Sequence, residues 1–448
     1  MARDVLSLEP HEYQERTADE LYEAGSGICC VAAMGAGKTG ATLMALSDLF
    51  SDGLIDRAII FAPKRVAQLT WPDEAVKWGF PGLVTLTGVP PDKRADAIRF
   101  ARVVVINYEL AKWAKDNGIR ATKDTVVILD EVSRMGEATG AQRKYVKEIA
   151  KETRMRWGLT GTPKGRDTLK MWGIADVLRP DIWGRNFRQW RARYHTPIDA
   201  NGYQWRVLPG CEELIDEAFA EMSFRVDAPV YSDPILLFDQ VELPAPARRI
   251  YDEMEAEMIV ELGDLDILAE QAASQRMKLR QIAAGFVYDE AREAHRIHNA
   301  KIDALWDIAQ DSGENLLVLY QFRPEIEYVR EKWGYRVPVL GGETTDAEAV
   351  RILDAWNMGD IPLLLAHEAA MGHGLNMQSG GRRIVWMSVG DSLEQYLQTN
   401  ARLARQGQTD QVFVHHLVVR NSLEEAMCRA HARKSLAENR LIERIRDV

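Results

Sequence analysis

Apolar positions in the first half of the chain fall into short runs: Ile28–Ala33, Ala58–Phe61, Val103–Ile106, Val126–Leu129 and the neighbourhood of Arg156–Leu159. Each has the length of a β-strand. Helical spacing lies between several of them: after Lys38, residues Leu43, Leu46, Leu49 and Phe50 recur at helical period, and Gly53 closes the run. A second series passes through Leu316–Tyr320, Val337–Leu340, Pro362–Ala366, Ile384–Met387 and Val412–Leu417. Apolar strands alternating with helices predict parallel sheets covered on both faces. The chain therefore reads as two α/β lobes in tandem, 1–230 and 231–448, with the boundary near Asp227–Pro234, where two prolines interrupt the periodicity.

The material between the two series has a different character. Residues 184–232 carry Phe187, Trp190, Tyr194, Tyr203 and Trp205 around turn signals at Asn201-Gly202 and Pro209-Gly210. From Pro246 to about Phe286 the pattern is long, helical and rich in Glu, Ala, Met and Gln, which predicts a helical insertion over about 245–290. An aromatic core or lobe interface accounts for the tryptophans Trp172, Trp183, Trp190 and Trp205 better than base stacking does.

Composition narrows the function classes. At about 150 residues per domain, 448 residues amount to about three units or two large ones, enough for cores without staples. A net charge of -11 excludes a uniformly cationic DNA-coating protein but leaves room for a narrow basic track. Of the four cysteines, Cys29 and Cys30 are adjacent while Cys211 and Cys428 stand alone, so no zinc spacing is present and a reducing cytoplasm is the expected location. The first residues lack an apolar signal core, and no apolar run is long enough to span a bilayer; no membrane partner is expected.

The segment Ala32-Ala33-Met34-Gly35-Ala36-Gly37-Lys38-Thr39 follows one predicted strand and opens a predicted helix. That is the setting of a phosphate-binding loop, in which glycines turn backbone N–H groups onto phosphate oxygens at a helix N-terminus. Gly35, Ala36 and Gly37 would form the cradle, Lys38 would reach the β- and γ-phosphates, and Thr39 would ligate Mg²⁺. Ala32 stands where the general motif has glycine. Val126-Val127-Ile128-Leu129-Asp130-Glu131 ends a strand in paired acids, placing them at the carboxyl edge where open α/β sheets bind ligands. Asp130 would hold Mg²⁺, and Glu131 would orient or deprotonate the attacking water. Together the two motifs describe a P-loop NTPase.

The ordered set of motifs resembles the superfamily-two helicases and translocases, nearest the Swi/Snf-related branch and its compact phage-type members. Leu8-Glu9-Pro10-His11-Glu12-Tyr13-Gln14 is similar to the adenine-reading motif, with Gln14 as reader. Ala62-Pro63-Lys64, with Trp71 and Glu74, is similar to the element that lies along the nucleic-acid backbone, and Lys64 and Arg65 are candidates for the basic track. Ile106-Asn107-Tyr108-Glu109 and Leu159-Thr160-Gly161-Thr162-Pro163 match two more motifs; Thr160 and Thr162 belong to the one that couples ATP state to the nucleic-acid track. In the second half, Lys278-Leu279-Arg280-Gln281 resembles the helical signature, and Lys301 stands where a lysine opens the second lobe. Gly372-His373-Gly374-Leu375-Asn376-Met377 resembles the glycine-rich coupling motif, with Gly374 at the nucleotide and Asn376 in coupling. Gln398-Thr399-Asn400-Ala401-Arg402-Leu403-Ala404-Arg405 is close to the arginine-finger motif, in which Gln398, Arg402 and Arg405 serve catalysis. A helix would present the two arginines, three apart, on one face.

The resemblance implies two RecA-like lobes that close on ATP and Mg²⁺ and move on DNA, duplex favoured and single-stranded possible. Other phage or bacterial replication or recombination proteins are possible partners, and the location is then the host cytoplasm. The alternatives are a strand-separating helicase, an RNA helicase, or an ATP-binding scaffold or loader that uses closure as a switch. Val132-Ser133 after the paired acids departs from the dedicated RNA-helicase branches. His295 and His298, expected three apart on a helix, and His415-His416 read as surface and packing residues rather than metal ligands.

Overall fold

A computed structural model describes residues 8–33, 35–98, 101–136, 140–164, 168–198, 205–226, 233–263, 269–289, 291–334, 336–371, 375–404 and 408–447. The chain divides into two compact units, one of residues 1–229 with 436–448 and the other of residues 230–435.

The first unit is built on a parallel sheet. Its strands are β1 (Ile28–Ala32), β2 (Arg57–Ala62), β3 (Leu83–Thr85), β4 (Val103–Asn107), β5 (Thr125–Asp130) and β6 (Arg156–Thr160). After a hairpin of β7 (His195–Pro197) and β8 (Trp205–Val207) comes β9 (Ser223–Val226). The spatial order runs β9-β1-β6-β5-β2-β4-β3, every neighbouring pair parallel. Alternate side chains of each strand enter opposite cores: Cys29, Val31, Ile59 and Phe61 on one face, Cys30, Ala32, Ala58 and Ile60 on the other. Both faces are dry, which is why these strands read as unbroken apolar runs.

The second unit repeats the plan with β10 (Ile235–Val241), β13 (Leu316–Tyr320), β14 (Val339–Leu340), β15 (Leu363–His367), β16 (Arg383–Trp386) and β17 (Phe413–Val419), in the order β10-β17-β16-β13-β15-β14. Among the described residues three helices lie between β10 and β13, Ala245–Gly263, Ala269–Ala284 and Ala300–Ser312, with a small antiparallel pair, β11 (Phe286–Tyr288) with β12 (Ala294–Arg296), before the third. Among the described helices none is long and apolar enough to cross a membrane.

Two expectations change. The last residues do not stay with the second lobe: β18 (Arg446–Asp447) pairs with Phe224 and Arg225 of β9, while Leu441 and Ile445 enter the first unit's core. The apolar residues just before β18 thus bury in the first unit, and β18 extends that sheet's edge. His295 and His298 are not helical; His295 sits on β12 within 2.8 Å of Asp289, and buried His298 bonds the carbonyl of Ile282 through Nε2. Among the described residues no cluster of three or more His, Cys, Asp or Glu could hold a metal ion.

Candidate nucleotide site

The sheet order brings three chain-distant motifs side by side. β6 lies between β1 and β5, with Val31 opposite Thr160 and Asp130 opposite Leu159. The carboxyl ends of β1, β6 and β5 therefore carry the phosphate loop, the Thr160–Pro163 segment and the paired acids along one edge.

The loop after β1 turns through Gly35 (φ 80°) and Gly37 (φ 67°), conformations open to glycine at little cost. Gly37 is the N-cap of α2 (Lys38–Ser51), and no side chain caps that helix, so its first-turn N–H groups are without a side-chain acceptor. The Lys38 ammonium donates to the carbonyls of Ala32 (2.9 Å) and Ala33 (3.2 Å), a placement beside the loop it would serve. Thr39, half-buried, stands in the helix's first turn.

Gln14 comes to this loop from α1 (Glu12–Glu23). Its Oε1 accepts from the His11 backbone N–H (3.0 Å), and its Nε2 points to the Gly37 carbonyl at 3.4 Å. A Cβ on residue 37 would lie 2.1 Å from that nitrogen, so any other residue there would displace the Gln14 amide.

Asp130 is buried at 7% exposure, and its Oδ2 accepts from the indole N–H of Trp71 at 2.9 Å. The Asp130 carbonyl accepts from the Tyr108 hydroxyl (2.8 Å), whose pKa is raised by burial. Glu131 is buried with φ at 53°, a left-handed conformation that costs a non-glycine residue about 1–2 kcal/mol. Strain of this kind gathers at functional sites. Asn107 links Thr87 (3.1 Å) to Glu109 (2.7 Å) at the neighbouring strand end.

Trp71 is a correction to the reading that set it along a nucleic-acid path. A π-helical turn, Val66–Thr70, closes with the Trp71 N–H on the Val66 carbonyl and passes the chain into the helix Trp71–Lys77. The indole is fully buried, and Glu74 is spent on Lys77 and Trp78. Lys64 is exposed and Arg65 half-buried. Thr160 and Thr162 are both buried, and the Thr162 N–H donates to the Thr160 hydroxyl at 3.1 Å. Buried Lys164, missed in the sequence, pairs with Glu212 (2.6 Å) and Asp216 (3.1 Å).

In the second unit the helix Leu393–Asn400 ends one turn earlier than expected. Arg402 lies in the turn beyond it rather than on the helix that the spacing predicted; Asn400, whose Oδ1 receives the Trp386 indole N–H, marks the end. Arg402 is buried and donates to the carbonyls of Met371 (3.0 Å) and Leu375 (3.4 Å). Gln398, also buried, donates to Glu394 at 3.2 Å. Asn376 is exposed, with its carbonyl accepting from Asn357. Arg405, His373 and Gly374 lie outside the described residues. Lys301 is fully buried, bonded to the Met387 carbonyl and paired with Glu424, and Arg280 donates to the Val389 carbonyl (3.0 Å). Both cations therefore pin the loop after β16.

The chain matches the SNF2-related domain family over residues 14–219 and the helicase conserved C-terminal domain family over residues 300–407. It is 35% identical over 436 residues to putative protein p41 of Acyrthosiphon pisum secondary endosymbiont phage 1, covering 92% of this chain and 93% of that protein. It is 23% identical to the ISWI chromatin-remodeling complex ATPase ISW2 of Saccharomyces cerevisiae across 92% of this chain, but spans only 38% of that protein's length. Among solved structures, a Sulfolobus solfataricus SWI2/SNF2 ATPase core in complex with dsDNA aligns over 98% of this chain and 97% of its own, at 19% identity and TM-score 0.45. With two ordered domain matches and a phage relative similar almost end to end, the chain belongs to the SNF2-related branch of the superfamily-two helicases, enzymes that hydrolyse ATP to drive movement on nucleic acid.

Proposed function

We propose that this protein is a DNA-stimulated ATPase that translocates on duplex DNA. The observation that carries the proposal is the convergence of the phosphate loop, the Thr160–Pro163 segment and the Asp130–Glu131 pair on adjacent strand ends. One edge then serves both phosphate chemistry and its transmission, through β6, toward the nucleic-acid track.

In this reading Gln14 recognises adenine, while the loop amides from Gly35 to Gly37 and the start of α2 hold the phosphates. Lys38 leaves the Ala32 and Ala33 carbonyls for the β- and γ-phosphate oxygens. Thr39 and Asp130 offer a hydroxyl and a carboxylate, the hard oxygen donors that Mg²⁺ takes, and the ion would neutralise phosphate charge when bound. Glu131 accepts a proton from the attacking water and orients it in line with the γ-phosphorus. Gln398, Arg402 and Arg405 supply polar and positive groups to the transferred phosphoryl; an arginine in that role is worth about 10³–10⁵ in rate. To do so Arg402 must leave the Met371 and Leu375 carbonyls; Gly374 meets the nucleotide in this reading, and Asn376 serves coupling. Thr160 and Thr162 act by transmission, since their hydroxyls are buried. Lys64 and Arg65 take phosphates of the DNA, an interaction that weakens with salt.

The test is the ATPase rate of the full chain with duplex DNA, single-stranded DNA or RNA as separate activators, paired with triplex displacement. Stimulation greatest with duplex, together with triplex displacement, is the expected result. Equal turnover with and without every nucleic acid overturns the proposal.

A further inference from the structure

Away from the nucleotide edge, the first unit carries a small basic module between residues 184 and 210. It holds five arginines, Arg185, Arg188, Arg191, Arg193 and Arg206, against one acid, Asp199, on a chain whose net charge is -11. The module has its own aromatic core: Trp190 of the helix Phe187–Tyr194 is buried, with Trp183, Phe187 and Tyr194 packed 5.4, 6.1 and 5.8 Å from it, centroid to centroid. The aromatics are therefore used for packing, and they hold the arginines in place.

Arg191 is consumed by that packing, its guanidinium 3.8 Å over Trp205 of β8. The other four are exposed, and among the described residues none of them has an ion-pair partner. At 100° per residue Arg188 lies about 160° around the helix from Trp190 and Arg193 about 60°, on either side of the exposed Gln189 and Ala192. Arg206 follows on the hairpin, paired in register with Thr196. Like charges gathered on one module without ion-pair partners repel one another, and a polyanion relieves that cost.

The module is also tied to the segment after β6. The Thr168 hydroxyl and the ring of buried His195 on β7 are 2.7 Å apart. The helix Cys211–Ala220, which starts where the hairpin ends, supplies Glu212 and Asp216 to Lys164. A load on the hairpin thus reaches both ends of the Lys164–Thr168 stretch.

We propose that this module is a second phosphate-backbone contact of the first unit, gripping duplex DNA through Arg185, Arg188, Arg193 and Arg206. The proposal rests on the DNA-motor reading above and adds a contact that reading did not contain. It reads no sequence, since exposed guanidinium groups without base-reading partners serve phosphates, which position the protein on the duplex.

The test uses the full chain and a fluorescein-labelled duplex of about 30 base pairs, with anisotropy followed from about 50 to 300 mM NaCl. In the variant R185Q/R188Q/R193Q/R206Q, affinity near 100 mM NaCl falls about tenfold or more, and the slope of log affinity against log salt drops by about 3 to 4. DNA-free ATPase activity stays at the wild-type value, which shows that the variant folds. Lysine at the same four positions restores most of the affinity, because the contact is with charge. Unchanged affinity and slope in the glutamine variant overturn the module as a DNA contact and leave its charge to an acidic protein surface. A wild-type chain that neither binds duplex nor is stimulated by it overturns the motor reading, and the module's role with it.

Discussion

The indole N–H of Trp71 donates to Oδ2 of Asp130 across 2.9 Å, joining two buried residues 59 positions apart. The bond fixes one oxygen of the carboxylate proposed to hold Mg²⁺, so the ion meets a group already oriented. Trp71→Phe keeps most of the bulk and leaves that oxygen without its donor. The expected cost is about 1.5–3 kcal/mol of stability, with a lowered ATPase rate, read from urea denaturation and steady-state turnover. A variant as stable and active as wild type would show that the bond orients nothing.

Lys38→Ala removes the amine proposed to meet the β- and γ-phosphates and is expected to abolish turnover. Glu131→Gln keeps size and polarity but cannot accept a proton; it should bind ATP and hydrolyse it about 10²–10⁴-fold more slowly. Equilibrium binding of a fluorescent ATP analogue beside a phosphate-release assay separates the two effects. Full ATPase activity in both variants would sink the site assignment.

Gln14 touches the phosphate loop through Gly37, so its removal reports on nucleotide choice. Gln14→Ala should lose about tenfold in the preference of kcat/KM for ATP over GTP, the worth of one hydrogen bond. Competition assays with the two nucleotides give that ratio directly. A preserved preference would move the adenine reader elsewhere.

Glu325, in the second unit, has a fully buried carboxyl whose Oε2 accepts from the Gln321 (2.8 Å) and Phe322 (2.7 Å) N–H groups. Burial pushes its pKa up to about 7, against the opposing pull of those donors and of Lys301. The folded carboxyl therefore holds its proton more tightly than the unfolded one. Its contribution to stability is fully present below the unfolded value near 4.5 and is lost as pH rises through about 7. Glu325→Gln removes that loss, on the order of 3 kcal/mol across the window. The checking quantity is the difference in unfolding free energy between wild type and variant from about pH 5 to 8; a difference independent of pH would contradict it.

Much of the fold could be read along the chain. The ten apolar runs named from the sequence all contain strands, because a strand buried on both faces leaves a local signature. Strands with weaker signatures were not anticipated: β3 has three residues and only half-buried side chains, and β10 presents Ile235, Leu236 and Phe238 at 43–49% exposure. Arg402 is expected on a helix from its spacing, and the structure sets it in the turn after one. Spacing of three suits a helix, but the Met371 and Leu375 carbonyls that receive Arg402 lie far back in the chain, where periodicity carries no information.

By itself, the sequence determined the class of sheet, the phosphate loop and the paired acids, since each depends on residues within a few positions of one another. Tertiary structure alone decided that β6 separates β1 from β5, that Gln14 reaches Gly37, and that Trp71 turns inward to Asp130. It also decided that Lys301 pairs with Glu424 across 123 positions and that Arg446–Asp447 returns to β9. Such contacts join segments whose separation leaves no periodic trace. They form because burying an apolar face or a charge requires a partner, and packing selects which one.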